Sequence, residues 1–114
     1  MEMKKKTLII GSQGSGKTTK AKELVDNSGL NCHFLLSHSV RYLFDVPRKR
    51  DAEILIIDEI RSVPELEIAL DYVDKVNLPA IFIMQADYYS FDSTSLPWAV
   101  EKRLDQIIDL KDGK

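Results

Sequence analysis

The chain has 114 residues, 44% hydrophobic and 30% charged, with a net charge of −2. That length fits one ordinary globular domain over residues 1–114 and argues against an enzyme with separate cofactor and substrate domains, while the composition excludes a disordered chain, a collagen-like repeat and a disulfide scaffold. The single cysteine, Cys32, cannot close an intrachain disulfide, and no apolar run reaches the ~18 residues that span a bilayer, so the expectation is a cytoplasmic protein with one buried thiol and no membrane partner.

Charge is distributed unevenly. Residues 1–50 carry ten Lys and Arg against four Asp and Glu, whereas residues 51–114 carry six against fourteen. A basic half suits a phosphate-bearing ligand. The basic start, Lys4-Lys5-Lys6, is followed by only Thr7 to Ile10 before a glycine, too short for the apolar core of a signal peptide; it reads as a lead-in to a first strand over Thr7–Ile10.

Three of the five glycines then fall within six residues. Gly11-Ser12-Gln13-Gly14-Ser15-Gly16-Lys17-Thr18 matches G-x-x-x-x-G-K-[ST], with a strand before it and a helical stretch, Thr19 to Val25, after it. Glycines let the main chain come close enough for successive N–H groups to surround a β-phosphate at the positive end of the following helix. Lys17 would extend over the β- and γ-phosphates, the Thr18 hydroxyl would ligate a bridging Mg²⁺, and Thr19 is the candidate contact for the α-phosphate. Apolar positions at Ala21, Leu24 and Val25 give this helix a buried side, and Asn27-Ser28-Gly29 is its expected end.

Strand and helix then alternate, the pattern of a parallel sheet. Cys32–Leu36 is a predicted second strand, and Val40, Leu43 and Phe44 mark a short helical face before a charged turn at Pro47-Arg48-Lys49-Arg50-Asp51. Ile54–Ile57, uniformly apolar, predicts a third strand covered on both faces. Ser62-Val63-Pro64-Glu65 has the capping-box pattern and opens a helix with Leu66, Ala69, Leu70, Val73 and Val76 on one side. Pro79 precedes a fourth strand, Ala80–Met84. A polar loop over 86–95, with Tyr88, Tyr89 and Phe91, leads to a short helix near Pro97 in which Trp98 is the expected packing anchor, and Gln106–Leu110 closes as a fifth strand.

The third strand runs directly into Asp58-Glu59. The C-terminal ends of parallel strands are where such sheets bind ligands. Asp58 there would hold Mg²⁺ through a coordinated water, and Glu59 would orient or deprotonate the water that attacks a γ-phosphate. The plain alternative is a strand ending in a solvated acidic turn; the glycine loop upstream favours the functional reading.

On these motifs the sequence resembles the P-loop NTPases, in the branch with an additional strand between the P-loop strand and the Asp strand and a Glu after the Asp, to which AAA-type ATPases and RecA-like motors belong. The resemblance covers about residues 5–110. It implies a three-layer α/β fold with a five-stranded parallel sheet in the order 5-1-4-3-2, helices on both faces, ATP and Mg²⁺ at the C-terminal edge, and hydrolysis through Glu59. It makes Gln85, at the end of the fourth strand, a candidate sensor of the γ-phosphate. Leu96 to Ile108 is similar to the AAA-type stretch that ends in Arg-Phe-Asp, with Leu104 in place of the aromatic. Arg103 then becomes a candidate arginine finger for a neighbouring subunit, implying a homo-oligomer or a partner ATPase subunit, against the alternative of a helix-terminal arginine paired with nearby acids. Arg61, three residues after Asp58, is a second and weaker candidate finger, with a surface or subunit-contact role the preferred reading. The family's helical lid has no counterpart after the fifth strand, and the expectations are a minimal domain that dispenses with it, a lid supplied by a neighbouring subunit, or a chain that binds nucleotide without efficient turnover.

Two other functions compete. A phosphotransferase resembling thymidine kinase shares the P-loop and the Asp-Glu pair, but its zinc-binding cysteine pairs cannot be built from Cys32 alone. A nucleotide-dependent partner module without turnover is the other. The absence of an Asn-Lys-x-Asp motif favours ATP over GTP. Arg48-Lys49-Arg50 and Lys4-Lys5-Lys6 offer charge for nucleic acid but have no interleaved aromatics, so a solvated turn is preferred. His33 and His38 lack the neighbours of a metal site and read as ordinary core or surface histidines.

Overall fold

A computed structural model of the protein describes residues 6–11, 16–36, 52–85 and 97–110. The expected helix around 39–44, the charged turn at 47–51, the loop at 86–95 with its aromatic residues, His38 and the loop residues Ser12, Gln13, Gly14 and Ser15 lie outside the described residues.

The elements run β1 (Lys6–Gly11), α1 (Lys17–Ser28), β2 (Cys32–Leu36), β3 (Ile54–Ile60), α2 (Val63–Val76), β4 (Ala80–Gln85), α3 (Trp98–Glu101) and β5 (Gln106–Asp109). All strand pairs are parallel and form one sheet in the order β2-β3-β4-β1-β5. Read from its other edge, this is the expected 5-1-4-3-2. The apolar runs of β1, β3 and β4 require cover on both faces, and they have it. Leu8, Ile10, Leu55, Ile57, Phe82 and Met84 pack with Leu66, Ala69, Leu70 and Val73 of α2, whereas Ile9, Ile54, Ile56, Ile81 and Ile83 pack with Ala21 and Val25 of α1. The sheet is thus the middle of three layers. Among the described residues no helix is long and apolar enough to cross a membrane.

Local chemistry sets the helix limits. α1 stops where Gly29 takes φ 72° and its N–H donates to the Val25 carbonyl at 3.2 Å. α2 begins with Ser62 accepting the Glu65 N–H at 3.3 Å and ends at Asn77, φ 58°, one of the few residue types that adopts this conformation readily.

Two expectations are corrected. Trp98 does not anchor α3: it is 74% exposed, with the Lys102 ammonium 4.5 Å from its ring centroid, while Val100 enters the core at 3% exposure. Positions two apart on a helix face nearly opposite ways, so the two side chains cannot both be buried by one short turn. Cys32 is only half-buried, because β2 is an edge strand with Phe34 exposed beside it.

Candidate functional site

The parallel register aligns the expected site residues along one edge of the sheet. Gly11, the last residue of β1, lies opposite Gln85, the last residue of β4, and Asp58 lies opposite Leu36 at the end of β2. Lys17, Thr18 and Thr19 form the first turn of α1 at the same edge, with Lys17 and Thr18 half-buried and Thr19 exposed.

The start of α1 differs from that of α2. Gly16 precedes it at φ 88°, ψ 22°, a conformation strained for any residue with a side chain even though the space around its Cα is open. Gly16, at the cap position, has no side chain to cap α1, and the first turn of α1 holds no acid, whereas α2 has both the Ser62 cap and Glu65. A helix start with glycine at the cap position and a lysine in its first turn directs N–H dipoles and places a cation where an anion would bind.

Asp58 faces this end of α1. The Thr18 hydroxyl donates toward Asp58 Oδ2 at 3.5 Å, the outer limit of a hydrogen bond, and the other carboxylate oxygen accepts the Glu59 N–H at 2.7 Å. A hydroxyl and a carboxylate are the hard oxygen donors that suit Mg²⁺, directly or through water.

Sequence reading ended the third strand at Ile57; the structure carries it to Ile60 through a bulge. Ile57 pairs with Phe82 and Ile60 with Met84, so Asp58 and Glu59 together oppose Ile83 alone. In a regular strand Glu59 would share the α2 face with Leu55 and Ile57, and Ile60 would turn to the α1 face. The extra residue reverses that parity. Ile60 joins the α2 core, fully buried, and Glu59 is exposed. Two consecutive carboxylates thereby stay out of the core. Glu59 takes φ 60° to do so, one of only two non-glycine residues with positive φ among those described, at a strain of about 1–2 kcal/mol.

Arg103 lies at the other edge. One of its terminal nitrogens donates to Asp71 Oδ1 at 2.9 Å and Asp74 Oδ2 at 2.8 Å, and Asp74 also pairs with Lys6 at the start of β1. The Lys6 ammonium hydrogen-bonded to Asp74, supported by Arg103, holds that carboxyl below its usual range against the opposing effect of burial. Burial pulls the Arg103 guanidinium down, and its bonds to Asp74 and Asp71 outweigh this and hold it above its ordinary value. A cleft of about 190 Å³ between Lys6, Val73, Asp74, Asn77 and Pro79 adjoins this cluster, away from Asp58. Arg61 is exposed and its N–H donates to Glu65 Oε1 at 3.0 Å.

Thr18 and Asp58 are therefore brought together, Lys17, Glu59 and the Gln85 backbone share their edge, and Arg103 is not near them within one chain. Sequence reading missed the bulge, for which no glycine or proline gives a signal; it offered nearby acids as the alternative partners of Arg103, and the structure shows that pairing and identifies them as Asp71 and Asp74, three positions apart on α2.

No family model matches the chain, and no curated protein matches it. Among solved structures it is similar to the FIGL-1 AAA domain, crystallised in complex with ADP, with a TM-score of 0.63 and 21% identity over 94% of this chain and 43% of that one. The likeness is one of fold, an AAA-type P-loop NTPase-like fold, and the chain spans less than half the length of that structure.

Proposed function

We propose that residues 1–114 act as one unit that binds ATP with Mg²⁺ at the C-terminal edge of the sheet and hydrolyses it, as a member of the AAA-like branch with a catalytic glutamate. The observation that carries this reading is the convergence of Thr18 and Asp58 beside the start of α1, where glycine stands at the cap and lysine in the first turn. The ADP in the similar AAA domain supports a nucleotide as the anion.

In this reading the backbone from Gly11 through Gly16, including Ser12, Gln13, Gly14 and Ser15, wraps the phosphates, with Lys17 neutralising the β- and γ-groups and Thr19 meeting the α-phosphate. Thr18 and Asp58 would hold the metal, which would supply charge neutralisation on the phosphate oxygens. Glu59, kept out of the core by the bulge, orients or deprotonates the attacking water, and Gln85 reads the γ-phosphate. Arg103, on the opposite edge, acts on the nucleotide of a neighbouring copy or partner ATPase subunit. The single half-buried cysteine goes with a reducing, cytoplasmic setting.

Phosphate release from Mg²⁺-ATP tests the reading. Glu59→Gln is expected to abolish turnover while ATP still binds, and Lys17→Ala to abolish binding. Turnover by Glu59→Gln at the parental rate rejects Glu59 as the base, and binding without any turnover in the parent identifies a nucleotide-dependent partner module.

A further inference from the structure

We infer that Glu65 is a positioning residue that holds Glu59 in its left-handed conformation, an inference that rests on the reading of Glu59 as the water-activating group. In the usual capping box the acid at this place in the first turn reaches back to the N–H of the capping residue. Here Glu65 Oε1 accepts the N–H of Arg61, one residue before the Ser62 cap, at 3.0 Å, while the Glu65 N–H donates to Ser62 Oγ at 3.3 Å. The carboxylate thus holds the peptide that joins Ile60 to Arg61, directly after the bulge.

A strained φ persists only where its surroundings over-determine it. Glu59 at φ 60° is followed by two fixed points: the Ile60 side chain, fully buried in the α2 core, and the Arg61 N–H on Glu65. The buried side chain fixes where Ile60 sits, but a side chain can keep its place while its peptide turns. The hydrogen bond fixes the orientation of that peptide, and the Glu59 N–H, donating to Asp58 Oδ1 at 2.7 Å, holds the peptide before Glu59, so the chain is pinned on both sides of the strained residue. Without the Glu65 carboxylate the pin on the following side is lost, the Ile60–Arg61 peptide is free to turn as Glu59 relaxes, and the Glu59 side chain changes direction with its backbone. The side chain that caps α2 therefore also aims the glutamate at the end of β3.

The test combines kinetics with stability. Glu65→Ala is expected to lower kcat on the order of tenfold to a hundredfold, with KM for ATP unchanged within about twofold, because the phosphate contacts are untouched. Glu65→Gln keeps a carbonyl oxygen for the Arg61 N–H and is expected to recover most of kcat. Ser62→Ala removes the other half of the cap and lowers the melting temperature, yet is expected to keep kcat. In melting experiments Glu59→Gly raises the melting temperature of the parent by about 3 °C through relief of strain, but gives no such rise in Glu65→Ala, where Glu59 has already relaxed. Parental kcat in Glu65→Ala alongside an inactive Glu59→Gln overturns the inference, as does an equal rise from Glu59→Gly in both backgrounds. A fully active Glu59→Gln rejects the reading of Glu59 itself, and the melting comparison then still decides whether Glu65 holds the bulge.

Discussion

The Thr18 hydroxyl and the Asp58 carboxylate, forty positions apart in sequence, stand 3.5 Å apart across the junction of α1 and β3. A bond that long between two half-buried groups adds little to the fold. Asp58→Asn, which keeps the shape and removes the charge, is therefore expected to leave the melting temperature nearly unchanged. If Asp58 holds Mg²⁺ through water, the same variant weakens ATP binding about 10- to 100-fold in the presence of Mg²⁺ and little in its absence. Calorimetric titration with and without the metal separates the two cases. An equal loss in both would put Asp58 on the nucleotide instead of the ion.

Stability should respond to the middle of the sheet and not to its β2 edge. Phe82 is fully buried at the centre of β4 against α2, and truncation to Ala removes most of a large side chain from a packed layer. A loss of about 3–5 kcal/mol is expected, a large part of the 5–15 kcal/mol that holds an ordinary domain. Phe34, 43% exposed on β2, is expected to change stability by less than about 0.5 kcal/mol as Phe34→Ser. Urea unfolding of the two variants checks the contrast.

The sheet was legible in sequence because its signals are local and strong. Ile54 to Ile57 cannot be placed except under cover on both faces, and the apolar runs before Gly11 and from Ala80 to Met84 carry the same signal. Ser62 and Glu65 marked the start of α2 for the same reason. The bulge was not legible, since Asp58 and Glu59 announce charge but not torsion, and only the partner strand reveals that two residues oppose one. Trp98 misled because size argues for burial, while a four-residue helix has room for one inward position, taken by Val100. Arg103 was legible as a functional candidate, but its partners on α2 depend on a tertiary contact that no spacing encodes.

Asp74 makes stability depend on acid pH. Its carboxyl is held below its ordinary value in the folded chain, chiefly by Lys6, so the unfolded chain takes up its proton at higher pH. The stabilisation is therefore complete above the unfolded-state value near 4 and is lost as pH falls through the lower folded value. Asp74 is 46% exposed, so solvent and salt screen the effect. Melting temperatures measured from pH 6 downward are expected to fall less steeply below about pH 4 in Asp74→Asn than in the parent. Parallel curves would show that these ion pairs contribute nothing measurable.

Arg103 carries the question of assembly. Its bonds to Asp71 and Asp74 link the turn after α3 to the last part of α2, and loss of such part-exposed pairs in Arg103→Ala is expected to cost about 1 kcal/mol or less, leaving the fold intact. Within one chain the guanidinium lies on the edge opposite Asp58, so any role in hydrolysis has to be exerted on a second copy or a partner subunit. Arg103→Ala then retains Glu59 but offers no guanidinium to its neighbour, while Glu59→Gln offers the guanidinium but lacks the base. Each variant alone is expected to be inactive, and a mixture of the two to regain phosphate release, because some interfaces pair an intact Glu59 with an intact Arg103. The parent's turnover per chain should rise with protein concentration over the range in which light scattering shows assembly. A mixture no more active than the sum of its parts, or an Arg103→Ala variant with full turnover, would confine Arg103 to tying α2 to the start of β5.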